Sequence, residues 1–179
     1  MKILKYILIG IVTLVIFVLL AGLVLKKDYS VEREITVNRP KNVVFDYIKY
    51  LKNQNNYSKW ANIDPNMTKT YEGTDATVGF VSAWDSDNDD VGKGEQEIKK
   101  ITEGDRVDYE IRFIEPFESK SSAYMITDSV ASNKTKVKWG FNGHMNYPTN
   151  LMLIFMDFNK MIGDDLDTGL KNLKSELEE

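Results

Sequence analysis

Apolar residues follow three patterns along this chain, and each assigns a stretch of it. From Tyr6 to Leu25 the pattern is unbroken: twenty residues pass without a charge. Lys2 and Lys5 stand ahead of this run and Lys26 and Lys27 behind it. It is long enough to cross a hydrocarbon layer of about 30 Å as a helix. A cleaved signal peptide has a shorter apolar region and a small-x-small cleavage site, which Ala21 and Gly22 imitate poorly. Residues 1–27 therefore read as an uncleaved single-pass anchor. As an N-terminal signal-anchor it leaves residues 28–179 outside the cytoplasm.

Beyond the anchor the pattern alternates, as in strands with one dry face. In Tyr29 to Val37, the residues Tyr29, Val31, Arg33, Ile35 and Val37 share a side that only Arg33 interrupts. Val43, Val44, Tyr47, Ile48 and Leu51 then recur at helical spacing and predict a helix from about Lys41 to Lys52. A second, short helix is expected near Gln54–Trp60. Six further strands are predicted at Thr68–Glu72, Val78–Trp84, Gly94–Ile101, Val107–Ile114, Ser119–Asp128 and Lys134–Met145. Turn residues separate them, and such short connections make neighbours antiparallel. The dry sets are Phe80, Ser82 and Trp84; Val107, Tyr109, Ile111 and Phe113; Tyr124 and Ile126; and Val137, Trp139 and Phe141.

The third pattern closes the chain. Leu151, Ile154, Phe155, Phe158, Met161, Ile162, Leu166, Leu170, Leu173 and Leu177 recur at helical spacing. They predict one helix from Pro148 to Leu177, roughly 28 residues or ~42 Å long. Its apolar stripe needs a cover, and the dry face of the sheet is that cover. Seven antiparallel strands and one long amphipathic helix make a two-layer α+β domain.

Composition narrows the function. The net charge is −4, and −6 without Lys2 and Lys5. An acidic chain without a basic cluster excludes nucleic acid as partner. With no cysteine, thiolate catalysis, disulfides and cysteine metal sites are excluded. His144, the single histidine, falls on the solvated face of the last strand and has no second histidine for a zinc site. In Asp85 to Asp90, Asp90 and Gln96 stand where a calcium loop needs Gly and Glu, so the stretch reads as an acidic hairpin tip. No metal, cofactor or catalytic set is expected.

The order of elements resembles the START-like (SRPBCC, polyketide cyclase/dehydrase and lipid-transport) superfamily with its helix-grip fold, in its membrane-anchored bacterial branch. The residues carrying this are Val31-Glu32-Arg33-Glu34-Ile35, Arg39-Pro40-Lys41-Asn42-Val43-Val44-Phe45, Trp60, Asp64-Pro65-Asn66-Met67, Val78-Gly79-Phe80 with Trp84, Gly92-Lys93-Gly94-Glu95, Phe113-Ile114-Glu115-Pro116-Phe117, Thr135-Lys136-Val137-Lys138-Trp139 and Gly169-Leu170. Tyr57-Ser58-Lys59-Trp60 keeps one tryptophan where relatives often carry a Trp-rich stretch. The resemblance implies a hydrophobic ligand pocket under the long helix, and no particular reaction. Its expected lining is Trp84, Tyr109, Phe113, Tyr124, Trp139, Phe141, Met152, Phe155, Phe158 and Met161. The expected function is a membrane-anchored carrier or binding module for a small lipid-like or polycyclic ligand. The alternatives are a cyclase/dehydrase-like enzyme and a ligand-free protein-interaction domain.

Overall fold

The computed structural model describes residues 2–179. Helix α1 (Lys2–Val24) leads into strand β1 (Asp28–Val37), helix α2 (Lys41–Ile48) and one turn of helix, α3 (Gln54–Tyr57). Strands β2 (Thr68–Glu72), β3 (Val81–Asp85), β4 (Lys93–Thr102), β5 (Arg106–Glu115), β6 (Ser119–Ala131) and β7 (Lys134–His144) follow. The chain ends in α4 (Met152–Phe155) and α5 (Phe158–Glu178). α1 is long and apolar enough to cross a membrane.

The seven strands form one antiparallel sheet in the order β1-β7-β6-β5-β4-β3-β2. Hairpins build five of its six neighbour pairs. The sixth, β1 against β7, brings the first strand to the last, with Arg33 opposite Trp139 and Val37 opposite Thr135. The inner face buries Val31, Val37, Ile98, Val107, Tyr109, Met125, Val137 and Trp139. This is the helix-grip α+β fold: a twisted sheet holding a long C-terminal helix.

Helix α5 packs chiefly over β1 and against α3, with fewer contacts to β7. Leu166, Leu170, Leu173 and Leu177 form its buried stripe, each worth about 2 kcal/mol against exposure. Arg33, the charged interruption in β1, fastens the other end of the helix. Its Nη2 donates to the Asn159 backbone oxygen at 2.8 Å and to Asn159 Oδ1 at 2.9 Å, and its Nε lies 3.3 Å from Asp167. The guanidinium crosses Gly163 so closely that a Cβ there would collide with it. Because α5 sits over one side of the sheet, the inner faces of β3 to β6 are left largely uncovered by it.

Two predicted elements are corrected. The C-terminal helix is not continuous from Pro148. A 3-10 turn at Thr149–Leu151 and α4 come first, and the backbone is extended at Met156 (φ −119°, ψ 131°). α5 then starts afresh behind Asp157, whose side chain accepts from the Lys160 N–H at 2.9 Å. An N-cap of this kind is worth about 1 kcal/mol, and it interrupts a stripe whose periodicity alone runs through. Helix α2 likewise stops at Ile48, and Leu51–Asn53 forms a 3-10 turn.

The facing of β6 is corrected as well. Ala123, Met125 and Thr127 are buried on the inner face, while Tyr124 and Ile126 point outward. Register explains the choice, because Ala123 pairs with Phe141 and Met125 with Trp139. A small and a flexible side chain fit beside two large rings, whereas Tyr124 would crowd them.

Candidate functional site

Between the uncovered inner face of the sheet, α3 and the start of α5 lies a cavity of about 1200 Å³, partly open to solvent. Close-packed interiors leave few voids larger than a water molecule, so this space is a feature of the fold. Its walls are mainly apolar and aromatic. All three tryptophans of the chain, Trp60, Trp84 and Trp139, line it.

The rings hold one another in place. Trp139 meets Tyr57 edge-on at 5.6 Å and Trp60 at 6.2 Å. Trp84 stands edge-on to Phe113 at 6.2 Å. Tyr29 lies 5.2 Å from Phe158, the first residue of α5, and 6.2 Å from Phe141. Such pairs fix ring orientation at about 0.5–1.5 kcal/mol each beyond their burial.

Of the ten expected lining residues, six line the cavity: Trp84, Phe113, Trp139, Phe141, Met152 and Phe158. Four are placed elsewhere. Tyr109 is buried in the core with its hydroxyl directed at the Ile48 carbonyl, 3.4 Å away, and burial pushes its phenol well above the usual range. Phe155 and Met161 are exposed because the break before α5 turns them away from the sheet.

Tyr124 lies on the outer face across Gly140, where a Cβ would collide with its ring. Its hydroxyl donates to Glu32 Oε2, and the Arg106 guanidinium sits 4.2 Å from the ring. Burial and then the Glu32 bond push its phenol up to about 12.

The cavity also takes in residues the sequence reading did not nominate. Ser82 and Ile111 belonged to its dry sets; Gln96 lies between them in the register and Ser121 shares the Ala123 face. Leu51 closes the helical set after α2, while Gln54, Ser58 and Trp60 come from the polar stretch around α3, where no periodicity marks them. Gln54 is 9% exposed, and its Nε2 has no hydrogen-bond partner among the described residues. A buried amide donor without a partner costs about 1–3 kcal/mol; this one is closed off from the cavity surface and lies beside the Tyr109 hydroxyl.

Lys69, Asp89, Asp90, Glu115, Glu118 and Lys120 belong to the cavity lining, whereas the densest ion cluster lies on the outer face of the sheet. Arg112 binds Glu95, Glu97 and Glu110 at 2.5, 2.7 and 2.5 Å on the outer face. These bonds hold Glu97 and Glu110 below the ordinary carboxylate range. His144 Nδ1 lies 2.6 Å from Asp28 Oδ1 at the end of the sheet, and this bond, then that to Asn146, raises the ring's pKa. In the hairpin tip, Ser86 donates to Asp64 Oδ2 at 2.5 Å. Among the described residues no group of three His, Cys, Asp or Glu is placed to hold a metal ion.

Known proteins give the architecture its context. No curated protein matches the sequence. Among solved structures, a protein of Nitrosospira multiformis is similar at 14% identity and TM-score 0.57, over 83% of this chain and 96% of that one. A protein of Chromobacterium violaceum is similar at 11% identity and TM-score 0.59, over 84% and 97%. The norcoclaurine synthase of Thalictrum flavum, solved with a transition-state analogue, is similar at 9% identity and TM-score 0.59, over 86% and 98%. At such identities these likenesses speak to the fold, which is the START-like one. The profile of the family described as polyketide cyclase/dehydrase and lipid transport matches residues 28–178. Nearly everything after the apolar helix is thus accounted for, and the chain belongs to that family.

Proposed function

We propose that the protein is a membrane-tethered binding module for a small, largely apolar molecule. The molecule occupies the cavity between sheet and α5. The observation that carries this reading is the cavity of about 1200 Å³ lined by Trp60, Trp84, Phe113, Trp139, Phe141 and Phe158. Small-molecule sites are usually concave, mostly apolar, and provided with a few polar groups that fix orientation. Ser82, Gln96 and Ser121 supply such groups from the sheet.

A lipid-like or polycyclic ligand fits the lining, and Met152 and Met156 let the wall adapt to its shape. The anchor is α1, whose apolar run matches a bilayer in length; it leaves the domain outside the cytoplasm, as an N-terminal signal-anchor does. Binding without chemistry is the simpler reading, because Asp89, Asp90, Glu115, Glu118, Lys120 and His144 stand in turns and strand ends at the rim of the lining. Tyr29 and Lys69 stand on the opposite edge strands β1 and β2, and Lys69 Nζ donates to the Ala61 carbonyl at 3.0 Å.

The tryptophans supply the test. The full chain in lipid nanodiscs is titrated with a brominated fatty acid while its intrinsic fluorescence is followed. Saturable quenching, relieved by the unbrominated acid and lost in Ser121→Phe, is expected. Quenching that is linear and identical in Ser121→Phe would mean that the probe never enters the cavity.

A further inference from the structure

The cavity lining reaches the end of the sheet to which α1 is joined, at His144, Met145 and Glu115 to Ser119. The register places Asp28 beside His144 and Ser122 beside Asn142. The start of β1, the end of β7 and the β5–β6 turn therefore share that end. Met145, Thr149, Met152 and Met156 line the opening on one side and Phe117, 81% exposed, on the other.

The segment between β7 and α5 has an unusual composition for a surface connection. From Met145 to Met156 it carries no charge, and Leu151 to Met156 is a continuous apolar run. Phe155 is 76% exposed, Ile154 55% and Met152 43%. A one-turn helix is not stable by itself in water, and adjoining exposed apolar side chains mark an interaction site.

What covers this face is indicated by its attachment to α1. Gly22 is the buried residue of that helix. A Cβ on Gly22 would meet Leu151 at 3.1 Å and Tyr147 at 3.2 Å, and the Gly22 carbonyl accepts from Asn150 Nδ2 at 2.7 Å. That bond satisfies one of the carbonyls a helix end leaves open. The less exposed residues near this end of α1 are Val18, Ala21, Gly22 and Leu25, which share one face at helical spacing. Gly22 lies three residues inside the end of the apolar run, or about 4.5 Å of helix rise. The turn fastened there is thus held at the depth where hydrocarbon gives way to headgroups, and α4 begins from that turn.

We propose that α4 is a membrane-contact element: Ile154 and Phe155 enter the bilayer boundary beside the anchor and seat the cavity mouth on the membrane. An apolar ligand then passes between bilayer and cavity without crossing bulk water. The proposal rests on the membrane-tether reading above. The attraction is apolar, since Asp87, Asp89 and Asp90 occupy the β3–β4 turn at the same end of the sheet, and anionic headgroups would repel them. Tyr147, half-exposed beside Gly22, is of the residue type that favours the interface.

The absence of cysteine makes site-directed spin labelling direct. Single cysteines replace Val12 in the anchor, Ile154 in α4 and Asn133 in the β6–β7 turn, each in the full chain reconstituted in phosphatidylcholine vesicles. Nitroxide collision with oxygen and with a water-soluble nickel chelate reports depth. The expected order is Val12 deepest, Ile154 at shallow depth and Asn133 in water, unchanged by high salt, with Phe155→Glu moving the Ile154 label outward. A Val12 label in hydrocarbon with an Ile154 label in water overturns the contact proposal and leaves the tether standing. A Val12 label in water overturns both. Dipolar broadening at Ile154 without oxygen access would show that a second copy covers the face, which also overturns it.

Discussion

Replacing Gln54 by methionine tests the cost of a buried amide behind the cavity wall. Gln54 is buried beside the Tyr109 hydroxyl, and its Nε2 makes no hydrogen bond of good geometry among the described residues. An unmet buried donor costs about 1–3 kcal/mol, and methionine keeps the length and approximate volume while removing it. The empty domain should therefore gain about 1.5 kcal/mol, or about 3–6 °C in melting temperature for a domain of this size. Ligand affinity should stay unchanged, because Nε2 is closed off from the cavity surface. The assays are thermal unfolding of ligand-stripped protein and the quenching titration. A lowered melting temperature would mean that the amide is satisfied within the fold by Tyr109, and weakened binding would mean that it reaches the ligand after all.

Three further outcomes follow from other contacts. Gly163→Ala should destabilise the wild type, because its Cβ displaces the Arg33 guanidinium; in an Arg33→Ala background it should instead stabilise by about 1 kcal/mol through helix propensity. Additive effects in urea titrations would show that the two sites are uncoupled. Tyr124→Phe should cost about 1 kcal/mol from the lost Glu32 bond and leave ligand affinity unchanged; weaker binding would place Tyr124 at the cavity after all. The Arg112 cluster makes stability pH-dependent. Glu97 and Glu110 have lowered pKa values, so their contribution is present above the ordinary glutamate value near 4.3 and is lost as pH falls through the lowered ones. Arg112→Met should accordingly reduce the urea midpoint at neutral pH, with the gap closing as pH falls through the lowered glutamate pKa values; a gap that persists in acid would assign the loss to packing.

Much of the fold was legible because two periodicities carry it. The strands of the dry sheet and the stripe Leu166, Leu170, Leu173 and Leu177 each lie where alternation or helical spacing puts them. The errors arose where a local interaction overrode a pattern. Asp157 caps a new helix inside an unbroken stripe, so Phe155 and Met161 left the expected lining. On β6 the larger apolar residues were assigned inward, although Trp139 and Phe141 across the register leave room only for Met125 and Ala123. Arg33 looked like a flaw in a dry face and is the fastening of α5. The cavity was implied by ring content and by resemblance. Gln54 was not visible, because a buried polar residue in an irregular stretch has no period, and its significance rests on the partner it lacks.

The most direct test of ligand binding is native mass spectrometry of the full chain, excised from membranes in polymer nanodiscs without detergent, with organic extraction of what accompanies it. We expect one reproducible apolar species bound one to one, absent from Ser121→Phe and retained by Tyr124→Phe. A bare protein mass in every preparation, with no uptake from added fatty acids or polycyclic compounds, would contradict the binding-module reading and leave the cavity without an occupant.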